Sequence, residues 1–159
     1  MSGSDQQELQ ELSQRLEEVE SRLEALETER QTLQARKGDI DDAIEALQSL
    51  DTGSTVQVPV GGGAYVRASV EDMDEVIVTV GGGYAAERTE EEAIDLLEGR
   101  KEQIDERMDE VGEAIAELEA QGEELGQEAQ QRLQRLQQQQ GQGGGLGGGL
   151  PGSGGGQSG

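Results

Sequence analysis

The sequence predicts an α+β chain in which a long antiparallel coiled-coil hairpin carries two β-hairpins inserted between its helices. Three observations lead to this class. Apolar residues recur at alternating intervals of three and four over residues 5–50 and again over residues 89–138. The stretch between them, residues 54–88, changes to a period of two. The 159 residues include two Tyr but neither Phe nor Trp, too few aromatic side chains for the core of an ordinary globular enzyme.

The first helix is predicted over residues 5–50. Ten of its twelve seam positions are apolar, the exceptions being Arg30 and Lys37. Spacing of three and four places these positions on one stripe of a helix, which is the pattern of a coiled coil. Gly53 is expected to end the helix in a left-handed conformation. The seam positions are Leu9, Leu12, Leu16, Val19, Leu23, Leu26, Arg30, Leu33, Lys37, Ile40, Ile44 and Leu47.

The insert at residues 54–88 is predicted to form four short strands in two hairpins. Apolar residues alternate with others over four segments, and Gly-Gly-Gly triplets at 61–63 and 81–83 separate the segments of each pair. Alternation around glycine turns is typical of β-hairpins. A phosphate-binding loop is the alternative, but neither triplet is followed by Gly-Lys-Ser/Thr or fits G-x-G-x-x-G at a helix start. Hairpin turns are therefore the better interpretation.

The strands are predicted to pair with strands of other chains. Two isolated hairpins leave open strand edges and apolar surface. The helices are expected to pack against each other and are therefore not available to cover the strands. A β-barrel closed between chains would remove the edges, so the sequence indicates an oligomer. The side chains expected at this interface are Val56, Val58, Val60, Ala64, Val66, Val76, Val78, Val80 and Tyr84.

The second helix is predicted over residues 89–138. Thr89 and Glu92 have the spacing of a capping box at its start. The seam weakens towards its end, where Gly122 and Arg132 occupy seam positions. The seam positions are Ile94, Leu97, Lys101, Ile104, Met108, Val111, Ile115, Leu118, Gly122, Leu125, Ala129, Arg132 and Leu136.

A Gly-rich tail follows at residues 141–159. It contains 12 Gly in 19 residues. Because such a segment cannot bury enough apolar surface to offset the entropy of ordering, it is predicted to be disordered.

The charge balance excludes some partners and indicates an environment. The net charge is −23, from 35 acidic and 12 basic residues, and only Lys37 and Lys101 are lysines. Nucleic acid and anionic membranes are not expected as partners, since the chain lacks a basic surface to replace counterions. Acidic excess with scarce lysine points to a halophilic cytoplasm, with a mesophilic acidic coiled coil as the alternative. The helices carry net charges of −8 and −11, so we expect the fold to depend on salt that screens their repulsion.

No catalytic, cofactor or metal site is predicted. The chain has neither Cys nor His, which excludes thiol catalysis, disulfides and zinc fingers. Asp39, Asp41 and Asp42 lack the EF-hand order and are better interpreted as a solvated acidic face. Arg30 and Lys37 are expected to tune register or pair with facing acids, a partner-binding role being the alternative. The start is no signal peptide and no apolar run approaches the roughly 20 residues of a membrane span, so a cytoplasmic location is expected.

Two features of the insert are specific: two glycine turns, each followed by a Tyr, and two hairpins rather than one. The residues concerned are Val58-Pro59-Val60-Gly61-Gly62-Gly63-Ala64-Tyr65-Val66, then Val76-Ile77-Val78-Thr79-Val80-Gly81-Gly82-Gly83-Tyr84, then Glu87. With the long helices on either side, over about residues 5–136, the chain resembles the alpha type of the archaeal prefoldin family. The beta type of that family carries a single hairpin, whereas the Gly-rich tail is not part of the family pattern.

The resemblance implies a subunit of an ATP-independent chaperone. In that family two alpha and four beta subunits form a hexamer, whose hairpins build a double β-barrel platform with six coiled-coil tentacles. The tentacle tips hold unfolded proteins and deliver them to a group II chaperonin. The alternatives are a structural scaffold or a prefoldin-like subunit of another assembly, in which the same leucines only close the coiled coil. Mapped onto this chain, the client-binding tip residues would be Leu9, Leu12, Leu16, Val19, Leu118, Leu125, Leu133 and Leu136.

Overall fold

The fold consists of two long helices with two β-hairpins between them. A computed structural model describes the backbone of residues 2–158 and the side chains of residues 3–139. The predicted α+β class and the four strands are confirmed. The elements are α1 (Ser2–Ser49), β1 (Thr55–Gly61), β2 (Ala64–Ser69), β3 (Val76–Gly81), β4 (Tyr84–Arg88) and α2 (Glu90–Ser158).

The bounds of α2 extend past residue 138, the residue at which the second helix is predicted to end. Side chains from residue 140 onwards lie outside the described part of the chain. The disorder predicted for the Gly-rich tail at 141–159 falls on those residues and stays a prediction.

The chain divides into two compact units. The terminal unit consists of Met1–Thr28 and Gly112–Gly159. The hairpin unit is the continuous stretch Glu29–Val111, which contains all four strands.

In the terminal unit, the two helices are antiparallel and meet along the predicted seam. Glu8 forms an ion pair with Arg132, and Val19 lies beside Gly122, so partner numbers fall along α2 as they rise along α1. None of the predicted seam positions in this unit is exposed. Its buried core consists of Leu12, Val19, Ile115, Leu118 and Leu136.

In the hairpin unit, the helices again run antiparallel, and ion pairs of the two lysines of the chain join them. Lys37 Nζ lies 2.7 Å from Asp105 Oδ1, and Lys101 Nζ lies 2.5 Å from Asp41 Oδ1. Each helix therefore places a lysine on its seam and an aspartate four residues later. The expectation that Lys37 pairs with an acid of the facing helix is confirmed.

The hydrogen bond that the Lys101 ammonium donates to Asp41 raises the pKa of Lys101 above its usual value, which favours the charged form at the seam. Asp41 is therefore engaged with the other helix, whereas the sequence placed it on a solvated face with Asp39 and Asp42. A polar pair at a seam position commonly fixes register, because any shift of one helix leaves the charges without partners. The two lysine–aspartate pairs fit that role.

The start of α2 is fixed by the predicted capping box. The Glu92 N–H donates to Thr89 Oγ1 at 3.2 Å, and the Thr89 N–H donates to Glu92 Oε1 at 3.4 Å. Two of the N–H groups that a helix start leaves without carbonyl partners are thereby satisfied. Gly53 differs from expectation, because α1 already ends at Ser49. Gly53 instead turns the chain into the insert with a φ of +92°.

Each hairpin is antiparallel and closes through its glycine triplet. Val58 stands opposite Val66 in the first hairpin, and Val78 stands opposite Ala86 in the second. Gly62 and Gly63 have φ angles of 58° and 80°, and positive φ at both central residues is the requirement of a type I′ turn. Gly61, at φ 109°, lies where the register shifts, and residues 81–83 repeat all three angles within a few degrees. Three glycines are therefore needed per turn.

We predict that Gly62→Ala destabilises the chain by about 1–2 kcal/mol, because an L side chain is strained at positive φ. Gly38→Ala is the matched control: Gly38 lies inside α1, and a Cβ there would meet nothing within 4 Å. That change should stabilise the chain by about 1 kcal/mol, since Gly is a poor helix former. Thermal unfolding followed by circular dichroism in molar KCl measures both, and changes of the same sign would contradict the turn assignment.

We predict that Lys101→Asp and Asp41→Lys each lower the unfolding midpoint by a few degrees, because each change places two like charges side by side. The double variant restores the pair in reverse and should recover most of the loss. The recovery should shrink as KCl rises, since salt screens exposed charges. A double variant whose loss equals the sum of the single losses would show that the two residues do not interact.

Candidate functional site

The first candidate surface lies on the hairpins. Antiparallel register places Val56, Val58, Val66 and Ala68 on one face of the first hairpin. Of the nine predicted interface residues, six are exposed, Val56 and Val76 are half-buried, and one is buried. The exposed six are Val58, Val60, Ala64, Val66, Val80 and Tyr84.

Val78 is the buried one, with 7% of its surface exposed in the single chain. Its strand neighbour Val80 lines one cavity together with Leu96 and Gly99 from the first turns of α2. α2 therefore covers part of this face of the second hairpin. The sequence predicts that both helices pack only against each other, so this contact differs from the prediction. Val78 contributes to the packing of the subunit itself, while Val80 and Tyr84 at the hairpin end keep apolar surface exposed.

The sequence missed two exposed apolar side chains on the hairpins. Ile77 is 70% exposed, and it stands opposite Glu87 on the face away from Val78. Tyr65 stands opposite Pro59 and is also exposed. The available signal was the presence of apolar residues at both parities of each strand, whereas a half-buried strand alternates apolar with polar. Apolar surface on both faces, with two free edges per sheet, strengthens the expectation that other chains cover the hairpins.

The second candidate surface consists of the eight predicted tip residues, all of which belong to the terminal unit. Leu12, Val19, Leu118 and Leu136 are buried between the helices. Leu9, Leu16 and Leu125 are half-buried, and Leu133 is 48% exposed. The structure therefore brings seven of the eight to one seam and leaves Leu133 beside it, on the outer surface of α2.

Arg132 is the charged member of the seam in this unit. Its guanidinium pairs with Glu8 on the facing helix and with Glu128 one turn earlier on α2, where Nη2 lies 3.4 Å from Oε1. The Nε of Arg132 is buried and has no hydrogen-bond partner among the described residues. Gly122, another seam position, supplies no side chain, and a Cβ there would lie 3.3 Å from Val19 Cγ1. The terminal unit thus has a seam with an imperfectly paired charge, and at Gly122 the Val19 side chain of the facing helix packs close to the α2 backbone.

A groove of about 500 Å³ lies in the hairpin unit. Leu33, Ile40 and Ile104 contribute its apolar lining. Arg107, also in the lining, binds Glu29 through two contacts of 2.7 and 2.9 Å. That hydrogen bonding lowers the pKa of Glu29 and raises the pKa of Arg107, so both groups are charged near neutral pH. The groove is therefore a place where the two helices are joined by charge, and it has no arrangement of nucleophile and base.

Within residues 3–139, no group of three or more acidic side chains is gathered as a metal ion would require. In the described part of the chain, no helix combines the length and hydropathy needed to cross a bilayer. The arrangement offers apolar contact, along the hairpin faces and the seam of the terminal unit.

Comparison with known proteins agrees with this geometry. A family model described as prefoldin subunit matches residues 19–135. The chain is 64% identical over 107 residues to the prefoldin subunit alpha of Halorubrum lacusprofundi, covering 67% of this chain and 70% of that one. It is 61% identical over 107 residues to the prefoldin subunit alpha of Halobacterium salinarum, with the same coverage.

A solved structure, the cryo-EM structure of filamentous prefoldin from Methanocaldococcus jannaschii, is similar with a TM-score of 0.64 and 33% identity. The match covers 73% of this chain and 98% of the other. The relatives named alpha, mostly from halophilic archaea, agree with the alpha type and the halophilic composition expected from the sequence. The extent of the family match and these identities make the chain a member of the prefoldin family, whose subunits assemble into oligomeric chaperones.

Proposed function

We propose that this chain is the alpha subunit of a hexamer with four beta subunits, which holds unfolded proteins without ATP and passes them to a group II chaperonin. The location proposed is the cytoplasm, and no enzymatic activity, cofactor or metal is proposed. The observation that carries the proposal is the apolar surface of the two hairpins. Exposed side chains on both hairpins need a protein partner, and two free edges per sheet allow partner strands to extend each sheet.

The proposed division of labour follows the two units. The hairpin unit assembles through Val58, Val60, Val66, Val80 and Tyr84, which are all exposed in the single chain. Apolar surface of this kind typically marks an interaction site.

The terminal unit is proposed to contact clients. Leu133 offers an exposed apolar side chain, and half-buried Leu9, Leu16 and Leu125 become available when the helices part. Contact through leucines has little chemical specificity, which suits a protein that holds many clients. The alternative is that the tip residues only close the coiled coil, as in a structural scaffold.

We expect the native complex, recovered in molar KCl and weighed by native mass spectrometry, to contain two copies of this chain and four of a smaller coiled-coil chain. The similar structure from Methanocaldococcus jannaschii is filamentous, so an open-ended series of masses is a distinct outcome. A homodimer, or a complex with unrelated proteins, would contradict the proposed assembly and favour the scaffold.

We predict that replacing Leu9, Leu16 and Leu133 together by Ser weakens client capture roughly tenfold or more, because each buried leucine contact is worth about 1.5–3 kcal/mol. Capture is measured as suppression of aggregation of a chemically unfolded protein by the assembled complex in molar KCl.

The matched control for this variant replaces three leucines outside the candidate site by Ser. Leu23, Leu26 and Leu47 are half-buried seam residues, so their loss also loosens the coiled coil. The control should retain capture once its helix content and assembly are verified by circular dichroism and mass. Equal capture by both variants and the unchanged complex would contradict the tip assignment.

A further inference from the structure

The seam of the terminal unit is closed in the structure, which raises the question of how clients could reach it. Leu12 is 5% exposed and Leu136 is 6% exposed. Such side chains contact a client only after α1 and α2 part locally. A seam made entirely of well-packed leucines would oppose that parting, since each buried leucine contributes about 1.5–3 kcal/mol.

We propose that Arg132 is a built-in weak point of this seam, which keeps the helices of the terminal unit able to part and expose the leucines beside it. The inference rests on the proposed function in that the exposed leucines then serve clients. The parting itself is a property of this chain and is measured without any client.

Arg132 is a charged residue at a seam position. It lies four residues before Leu136, where the alternation of three and four predicts an apolar residue. Its side chain is 25% exposed, so most of a charged group is removed from water. Removing a charge from water is unfavourable unless its hydrogen-bonding groups are satisfied.

The ion pairs of Arg132 do not satisfy all of its donors. Glu8 lies on the facing helix, and Glu128 lies on the same helix as Arg132, so one of the two pairs joins the helices. The Nε–H is buried without a partner among the described residues. A guanidinium with an unsatisfied donor recovers only part of its lost hydration. The closed state is therefore less stable than one with leucine at this position.

The seam cations of the two units differ in whether a buried donor lacks a partner. The seam lysines of the hairpin unit, Lys37 and Lys101, each have an aspartate of the facing helix at 2.5–2.7 Å. Among the predicted seam positions of the terminal unit, Arg132 is the charged one. Lys37, Lys101 and Arg132 all pair with an acid of the facing helix, but among the described residues the buried donor without a partner belongs to Arg132.

Hydrogen exchange measured by mass spectrometry on the assembled complex in molar KCl tests the proposal. Arg132→Leu should slow exchange of the amides in residues 8–19 and 129–136 about tenfold, the factor for about 1.4 kcal/mol, within the range for replacing a buried pair by apolar residues. Arg135→Leu is the matched control, because Arg135 is exposed on the same helix. It makes the same change of charge and side chain, and should leave that exchange unchanged.

A second pair of variants tests the opposite direction. Glu8→Gln leaves Arg132 without its charged partner on the facing helix and should speed exchange of the same segments roughly threefold. Glu11→Gln, one turn later and exposed, is its control and should have no effect. Unchanged exchange in Arg132→Leu, or equal slowing in Arg135→Leu, would overturn the proposal.

Aggregation suppression measured on the same samples separates this inference from the proposed function. Slower exchange with weaker suppression supports both. Slower exchange with full suppression supports the role of Arg132 in parting the helices and contradicts the assignment of the seam leucines to clients.

Discussion

Two acidic helices must lie side by side in this molecule, and the remaining structure depends on how that contact is made. Helix segments with net charges of −8 and −11 repel each other. An apolar seam brings them together, and a few cations placed at or beside the seam hold them in register. Lys37 and Lys101 pair with aspartates across the hairpin unit, and Arg107 makes a two-point contact with Glu29 in the same unit. Scarce positive charge is thus used where it joins the helices.

The hairpins, unlike the helices, expose much of their apolar surface. The helices satisfy their apolar seam within the chain, whereas most valines of the hairpins stay exposed. Glycine triplets with positive φ at all three positions close each turn, and each two-stranded sheet has two open edges. Small isolated sheets are marginal in water, which supports the proposal that other chains cover and stabilise the insert. The residues that form the strands are therefore also those proposed to carry assembly.

The quality of the seam differs between the two units in a way that matches their proposed roles. The seam lysines of the hairpin unit, Lys37 and Lys101, are paired across the helices, which favours one register. The terminal unit contains Gly122 in place of a side chain and Arg132 with a buried, unsatisfied Nε. A chaperone needs a firm base for assembly and a surface that opens to clients. Both can be built from one coiled coil by varying a few seam residues.

Local sequence patterns predict the two helices, the four strands, the turns and the seam. Period and spacing decide which face of an element is apolar, and local rules decide the capping box at Thr89 and the turns at residues 61–63. Period alone predicted the seam, none of whose positions is exposed, and a resemblance in the insert indicated the family.

Packing between the elements determines which elements cover which faces and which charges meet. Val78 is buried in the subunit while Ile77, its neighbour, is exposed, and Leu133 lies beside the seam rather than in it. The pairing of Lys101 with Asp41, and of Arg132 with Glu8, depends on the register between helices that are far apart in sequence. Periodicity fixes the direction in which a side chain points on its own helix or strand. The position of the facing element is set by packing over the whole contact, and no local pattern specifies it.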